Sequence, residues 1–247
     1  MQAPEQSALF NAPILLISDL DDTIKISHTT SRLITFYRGL FRSSAFAGMP
    51  QLYREILANS DQSHFCIISS SPPAIRKKIE RFLHKHKLPP AELILRDWLR
   101  QTNVFAYKRE SISARVRASE IPVLLVGDDT EHDPEVFAHV ADQFPEKVLA
   151  RYVRKVRSRP LPEGSYGFYT AFDLACAELA SGRLSSHQAL RVGESVLNSE
   201  KSSRLIPSFM VMPPTNFIPF LGQVDDTLLE IWKKIHSKIQ AIPRRKK

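Results

Sequence analysis

Ile14-Leu15-Leu16-Ile17-Ser18-Asp19-Leu20-Asp21-Asp22-Thr23 is the segment that decides the fold of this chain. Its first five residues form an apolar run typical of a buried strand, and carboxylates follow directly. Asp19 and Asp21 alternate along an extended backbone, so their side chains should point the same way. Acids buried at the end of a strand are costly unless a positive charge pairs with them. The usual partner is a metal ion, and a phosphate is then the usual substrate.

The segments after this strand alternate between strand and helix, which predicts α/β architecture with a mainly parallel sheet. We expect a three-layer sandwich in which helices cover both faces of a five-stranded sheet. The stretches 23–65 and 71–108 are each too short for an inserted domain of about 50 residues, so we expect no large cap domain and an open site. The predicted strands are Ile14–Ser18, Phe65–Ser69, Glu92–Leu95, Val123–Val126 and Val148–Val153. The predicted helices are Ser31–Phe41, Gln51–Asn59, Ala74–His86, Arg109–Ala118, Pro134–Phe144, Ala171–Ala180 and Thr227–Ile242.

The length of the chain allows either one well-buried core with an appendage or two small domains. The 247 residues carry a net charge of +8 and 43% apolar residues, which is ordinary for a globular protein with an anionic partner. We divide the chain into a leader (1–13), a catalytic domain (14–190) and a basic, proline-interrupted tail with an amphipathic helix (191–247). The two cysteines are expected to be buried free thiols. Without a signal peptide or a bilayer-spanning run, we expect a cytoplasmic protein and leave open a peripheral position at membranes.

A second acidic cluster follows the fourth predicted strand, from Gly127-Asp128 to Asp133. The carboxyl ends of parallel strands meet at one edge of a sheet, where ligands bind near the switch in strand order. The two clusters should therefore share one cation, and oxygen ligands in a compact site suit Mg²⁺. The expected metal set is Asp19, Asp21 (through a nearby backbone carbonyl), Asp128 and Asp133.

Phosphoryl transfer needs further groups, and the chain offers them at the expected places. Ser69 ends the second strand just before a helix, where a hydroxyl and backbone N–H groups can grip phosphate oxygens. Ser70 and Thr23 are further candidate phosphate contacts. Lys108 stands just before the predicted helix at 109 and could neutralise charge on the transferring group. Each residue alone has an ordinary structural interpretation, as a cap, a turn residue or a solvated lysine, but the four signals occur in order.

The chemistry of phosphoryl transfer assigns a role to each group. Asp19 would attack phosphorus to form an aspartyl-phosphate. Asp21 would protonate the leaving oxygen and then deprotonate the hydrolytic water. Asp128 would hold the metal, while Asp133 would orient Lys108 or a water at the metal. The additional acids Asp22 and Asp129 either tune the metal site or face solvent.

These motifs resemble the four motifs of the haloacid dehalogenase-like hydrolase superfamily, and more narrowly the catalytic domain of the actin-patch phosphatidate phosphatase family. The narrower resemblance covers about Ile14 to Gly182. It implies a Rossmann-like α/β fold and a Mg²⁺-dependent phosphatase that converts phosphatidate to diacylglycerol. It also implies Asp19 as nucleophile, Asp21 as acid and base, Ser69 and Lys108 on the phosphate, and Asp128 and Asp133 at the metal. The segments that carry it are 19–27, Gly48-Met49-Pro50, Ser69-Ser70-Ser71-Pro72, Leu95-Arg96-Asp97-Trp98 and 127–137.

The chain departs from that family's pattern beside the phosphate site. The family has Asn where Ser70 stands, Trp-Gln where Pro73-Ala74 stand, and Ser where Asp129 stands. These changes remove no catalytic group, so they bear on the substrate rather than on the chemistry.

Three functions stay open from the residues. The first is a lipid phosphate phosphatase, with a phosphorylated lipid as partner and peripheral contact with an anionic membrane. The second is a phosphatase on nucleic-acid ends or another phosphate monoester, although no aromatic stacking platform accompanies the basic residues. The third is a non-catalytic module that binds anionic membranes. The residues expected to recruit the anion are Arg151, Arg154, Lys155, Arg157 and Arg159 after the fifth strand, and Lys233, Lys234, Lys238 and 244–247 in the closing helix, whose apolar face could instead pack on the domain.

Overall fold

The computed structural model describes residues 11–27, 44–219 and 225–243. Their strands form one parallel six-stranded sheet in the order β3-β2-β1-β4-β5-β6. The strands are β1 (Leu15–Ser18), β2 (His64–Ser69), β3 (Glu92–Leu95), β4 (Val123–Asp128), β5 (Val148–Arg154) and β6 (Ser165–Phe168). The helices are α1 (Met49–Leu57), α2 (Arg76–Lys85), α3 (Val104–Ala118), α4 (Asp133–Gln143), α5 (Ala171–Ala180), α6 (Ser186–Leu197) and α7 (Asp226–Gln240), and short 3₁₀ turns occupy Pro73–Ile75 and Ser202–Arg204.

The apolar strand β1 is an interior strand of the sheet, and all of its residues are buried. It pairs with β2 on one side and with β4 on the other, and Ser18 lies level with Ile67 and Val126. The strand order reverses between β1 and β4, so a crevice opens beyond their carboxyl ends. Asp19 and the end of β4 therefore meet at this edge, as the sequence predicts.

The predicted α/β fold is confirmed, with one correction to the sheet. The five predicted strands are present, but a sixth strand, β6, adds a parallel edge beside β5. The sequence gives β6 little signal because Ser165-Tyr166-Gly167-Phe168 has only four residues, includes glycine and follows a proline-rich turn. Helix α6 was also not predicted, and the predicted helix 31–41 lies outside the described residues.

Helix α3 begins earlier than predicted, and this changes the setting of Lys108. Asn103 caps the helix by accepting a hydrogen bond from the Ala106 N–H at 3.0 Å, as asparagine at an N-cap commonly does. Lys108 consequently lies in the second turn of α3 rather than just before a helix, and the helix holds its side chain against the carboxyl edge of the sheet.

The closing helix α7 packs on the body of the protein. Its apolar face is buried in the main core and covers α6, where a Cβ on Gly193 would lie 2.6 Å from Ile231. Of the two interpretations of this apolar face, membrane contact or packing on the domain, the structure therefore supports packing on the domain. The buried residues of that face are Leu228, Ile231, Ile235 and Ile239. The division into leader, catalytic domain and tail stays a prediction.

The described segments around the site contain no large cap domain. Between β2 and α3 the chain forms a 3₁₀ turn, α2, β3 and one loop, which is too little for a separate domain. Residues 28–43, in the other connection, are not among those described. None of the helices in the described ranges is long and apolar enough to cross a bilayer.

Candidate active site

Three aspartates and one lysine meet at the carboxyl edge of β1 and β4. Lys108 Nζ lies 3.0 Å from Asp19 Oδ1 and 2.5 Å from Asp133 Oδ1. Asp128 completes the group, and one oxygen from each of the three carboxylates lies within 4.8 Å of the others. All four side chains are buried. The structure thus brings Asp19, Asp128, Asp133 and Lys108 together, although they are distant in sequence.

The cluster places three carboxylates and one ammonium in a buried site, so negative charge is in excess there. Burial raises the pKa of Asp19 well above its usual range; Lys108 opposes that shift, whereas Asp133 and Asp128 add to it. Burial also raises the pKa of Asp128 to about 7, with Asp133 acting in the same direction and Lys108 against it. Burial alone would lower the pKa of Lys108, but the surrounding carboxylates outweigh it and raise that pKa well above its usual value.

The donor set fits a divalent cation. Oxygen ligands on opposite sides of one Mg²⁺ or Ca²⁺ ion are about 4–5 Å apart, twice the metal–oxygen distance, and the three carboxylates satisfy that spacing. Asp133 Oδ2 is buried and has no hydrogen-bond partner among the described residues. One ammonium cannot neutralise three carboxylates, so a divalent ion would offset the excess negative charge that, together with burial, raises the pKa values of Asp19 and Asp128.

Asp21, the second aspartate of the first motif, is held by a lysine that sequence reasoning missed. Lys25 Nζ lies 2.6 Å from Asp21 Oδ1, and the lysine side chain is only 4% exposed. The Ser71 hydroxyl donates to the other oxygen, Oδ2, at 3.4 Å. The spacing of four residues between Asp21 and Lys25 was a signal for such a pair, although these residues form a turn and not a helix. Asp21, predicted at the metal, is not among the three carboxylates that the structure groups together; it has one oxygen closely paired with Lys25 and the other in a longer contact with Ser71.

Asp128 is oriented by two threonines. The Thr23 hydroxyl donates to Asp128 Oδ2 at 3.1 Å. The Thr130 N–H donates to Asp128 Oδ1 at 2.7 Å, and the Thr130 hydroxyl donates to the same oxygen. Thr23 was predicted to contact phosphate; the structure places its hydroxyl on a candidate metal ligand.

A fully buried arginine, Arg154, stabilises the backbone of the first motif. Arg154 Nε donates to the Thr23 carbonyl at 3.1 Å, and Nη1 donates to the Tyr169 carbonyl at 2.8 Å. Its guanidinium lies 3.9 Å from the ring centre of Phe46 and 4.7 Å from that of Phe168. Burial lowers the pKa of Arg154 to about 10, which leaves it charged at neutral pH. It was predicted to recruit an anion from solvent, and its burial makes that prediction wrong.

The other basic residues after β5 are mostly engaged as well. Lys155 pairs with buried Asp129 at 2.7 Å, and Arg159 pairs with Glu135 and donates to backbone carbonyls. Asp129 also accepts the Val156 N–H at 2.8 Å. Asp129 therefore fixes the chain after β5, and this explains an acid that the sequence left unassigned.

The candidate phosphate contacts at the end of β2 are close to this cluster along the sheet edge. The Ser71 N–H donates to Ser69 Oγ at 3.1 Å, which shapes a tight turn after the strand. Ser70 Oγ is buried and has no hydrogen-bond partner in the described part of the chain. The Tyr107 hydroxyl holds the Ser69 carbonyl at 3.3 Å, and Trp98 Nε1 holds the Ser70 carbonyl at 2.8 Å. Side chains of α3 and of the loop between β3 and α3 thus hold this turn in place.

Comparison with known proteins places most of this architecture in one family. Residues 14–155 match the family model described as the catalytic domain of phosphatidate phosphatase APP1. The Saccharomyces cerevisiae protein named phosphatidate phosphatase APP1 is 30% identical over 152 residues, which cover 56% of this chain and 25% of that protein. An uncharacterised protein of Schizosaccharomyces pombe is 27% identical over 163 residues, 59% of this chain and 26% of that protein. The chain thus matches about a quarter of the length of these relatives, and no solved structure matches it significantly.

Proposed function

Because the chain belongs to the family of the APP1 phosphatidate phosphatase catalytic domain, we propose that it is a Mg²⁺-dependent phosphatase that acts through an aspartyl-phosphate on Asp19. The proposed substrate is a lipid phosphate such as phosphatidate, which would yield diacylglycerol. The observation that carries the proposal is the buried cluster of Asp19, Asp128, Asp133 and Lys108 at the switch point of the sheet.

The first chemical step is an in-line displacement at phosphorus. A carboxylate oxygen of Asp19 forms a bond to phosphorus while the bond to the leaving oxygen breaks. Lys108 touches Asp19, so its ammonium is placed to neutralise charge that develops on the phosphoryl oxygens. The turn after β2 supplies Ser69 and Ser70, whose hydroxyls and backbone N–H groups are suited to hold those oxygens.

Asp21 is proposed to move the proton in both steps. Its Oδ1 is paired with Lys25 at 2.6 Å, whereas among the described residues Oδ2 has the longer contact of 3.4 Å to Ser71. We therefore place the transferable proton on Oδ2. The proton goes to the leaving oxygen in the first step, and Lys25 stabilises the carboxylate that remains. Asp21 then takes a proton from the water that attacks the aspartyl-phosphate, which releases inorganic phosphate and restores Asp19.

The residues proposed to hold the cation are Asp19, Asp128 and Asp133, with a backbone carbonyl near Asp21 as a further ligand. When bound, Mg²⁺ supplies positive charge that keeps the carboxylates ionised and draws the substrate phosphate towards Asp19. Thr23 and Thr130 hold Asp128 in position, and Arg154 holds the Thr23 backbone. These residues fix the site before substrate arrives.

The lipid substrate rests on the family and on the open site. A small metabolite needs enclosure, whereas the described connections around the site contain no large cap. The relative from Saccharomyces cerevisiae is named for phosphatidate. A lipid phosphate presented at a membrane surface suits such an open site.

The test is phosphate release from a panel of esters in the presence of Mg²⁺ or a chelator. The panel contains phosphatidate in mixed micelles, p-nitrophenyl phosphate, 5′-phosphorylated oligonucleotides and sugar phosphates. We expect Mg²⁺-dependent release from phosphatidate that Asp19→Asn abolishes, while Asp61→Asn, which changes an exposed acid away from the site, behaves as wild type. Full activity of Asp19→Asn would exclude the covalent route. Hydrolysis of oligonucleotide ends without hydrolysis of lipid would exclude the lipid substrate.

A further inference from the structure

We propose that an anionic bilayer docks on an exposed surface beside the catalytic edge. This surface is formed by Pro73 and Ala74 in the 3₁₀ turn before α2, Lys77 and Arg81 on α2, and Leu99 and Arg100 in the loop between β3 and α3. We call it the docking edge. The inference deepens the proposed function, because it rests on a lipid substrate, and it assigns the membrane contact to residues that sequence analysis did not select.

The charge of α2 is the first observation. Residues 76–87 contain six lysines and arginines and a single acid, Glu80. The apolar residues Ile79, Phe82 and Leu83 face the core. Lys78 is half-buried, and the other five basic residues are exposed on the outer face. Arg76 and Arg81 donate to backbone carbonyls and keep their charge. A helix whose outer face carries one sign of charge attracts an anionic surface.

The position of this helix is the second observation. The chain passes from the phosphate turn at 69–71 through the 3₁₀ turn Pro73–Ile75 directly into α2. The first basic residues of α2 therefore lie at the mouth of the site. A rise of about 1.5 Å per residue places Arg81 about 8 Å below Arg76 along the helix. This distance is within about one Debye length at physiological ionic strength, so Arg81 still interacts with a charged surface at the mouth.

The neighbouring loop adds an exposed apolar tip. Leu99 is 93% exposed, and the Arg100 side chain next to it is 88% exposed, with its Nε 3.7 Å from Asp97 Oδ2. The loop is tied to the phosphate turn, because Trp98 Nε1 donates to the Ser70 carbonyl at 2.8 Å and the Arg96 N–H donates to the Ser71 carbonyl at 3.1 Å. An apolar residue beside basic residues is the combination that enters the interface of an anionic bilayer.

Two other basic segments fit this role less well. After β5, Arg154 is buried and Lys155 and Arg159 are paired with acids. On α7, the apolar face is buried in the core, and Lys238 donates to carbonyls at the end of α6. The docking edge combines outward charge, an exposed apolar tip and contact with the catalytic turn.

The experiment measures binding and catalysis separately. Sedimentation with vesicles of phosphatidylcholine and phosphatidylserine, which carry charge but no phosphomonoester, reports docking alone. Hydrolysis of p-nitrophenyl phosphate reports the catalytic centre alone, and hydrolysis of phosphatidate in vesicles requires both. The variants are Lys77→Glu/Arg81→Glu and Leu99→Asp, and the matched control is Lys233→Glu/Lys234→Glu on the exposed face of α7.

We expect the α2 double variant to bind vesicles at least about tenfold more weakly and to lose phosphatidate hydrolysis in proportion. Hydrolysis of p-nitrophenyl phosphate should be unchanged in it, and the α7 control should bind as wild type. If the α2 variant fails to fold, Leu99→Asp on the separate loop tests the same surface, with a smaller but clear loss of vesicle binding.

Several results would overturn the docking edge: no vesicle binding by the wild type, equal binding by wild type and both docking-edge variants, or a loss confined to the α7 control. Preferential binding of oligonucleotides through Lys77 and Arg81 would overturn it in favour of a nucleic-acid surface. If vesicle binding depends on Lys77, Arg81 and Leu99 but phosphatidate is not hydrolysed, the docking edge stands and the proposed substrate fails.

Discussion

The metal-free protein should lose stability as pH rises through the range in which Asp128 ionises. Burial raises the pKa of this carboxyl from 3.8 to about 7 in the folded protein. Between these pH values the folded state holds a proton that the unfolded state has lost, so unfolding releases a proton and becomes easier as pH rises. At 1.36 kcal/mol per pKa unit, the whole shift corresponds to about 4 kcal/mol.

About half of this loss falls between pH 5 and pH 7, where it is readily measured. Between pH 5 and pH 7 the free energy of unfolding should fall by about 2 kcal/mol on account of Asp128. Asp19, whose pKa is also raised by burial, acts in the same direction. Saturating Mg²⁺ should remove the slope, because the cation favours the ionised carboxylates of the folded protein, and should add about 3 kcal/mol at a concentration of about 100 times its Kd.

The assay is urea unfolding across pH in a chelator, with Asp128→Asn as the reference. The amide keeps the size of the side chain but cannot ionise, so the difference between the two curves isolates the carboxyl from other titrating groups. The free energy of unfolding of wild type minus that of Asp128→Asn should fall by about 2 kcal/mol from pH 5 to pH 7. Parallel curves for wild type and Asp128→Asn in the chelator, or curves that still diverge in saturating Mg²⁺, would refute the account of the cluster.

Three further substitutions test other contacts. In Gly127→Ala the new Cβ would lie 2.5 Å from Asp133 Oδ2, so a forced shift of nearly 1 Å should lower kcat about 100-fold; unchanged kcat would show that the placement of Asp133 does not matter. Lys25→Met should lower kcat about 100-fold on an alkyl phosphate, because the leaving oxygen of that substrate needs the proton of Asp21. The loss should be much smaller on p-nitrophenyl phosphate, and Lys25→Arg should recover part of the activity. Equal losses on both substrates would contradict the proposed role. Gly193→Ala, which brings a Cβ within 2.6 Å of α7, should cost about 1–3 kcal/mol in urea unfolding and leave kcat unaltered; a stability equal to that of wild type would contradict the packing of α7.

The sequence predicted most of the sheet because its central strands are continuous apolar runs. β1 and β4 are buried on both faces, so their composition alone identifies them. Strand β6 and helix α6 escaped prediction for opposite reasons. β6 is a short edge strand that contains Gly167, whereas α6 spreads its small apolar residues over a segment rich in serine and charge.

The candidate site was predicted as a set of residues but not as a set of contacts. Strand ends identified Asp19 and Asp128, since the topology of a parallel sheet brings such ends together. Sequence cannot show which basic residues are buried, and so Arg154 was assigned to solvent although it lies between two phenylalanine rings. Lys25 was missed because its pair with Asp21 depends on the shape of a turn.

The most direct test of the central claim is to trap the proposed intermediate. The protein is mixed with substrate and Mg²⁺, quenched in acid within the first turnovers, digested and analysed by mass spectrometry. The account predicts one phosphoryl group on the peptide that contains Asp19, sensitive to hydroxylamine and missing in Asp19→Asn and in a chelator. Efficient turnover in which no peptide carries phosphate, or in which the label lies on another residue, would contradict it.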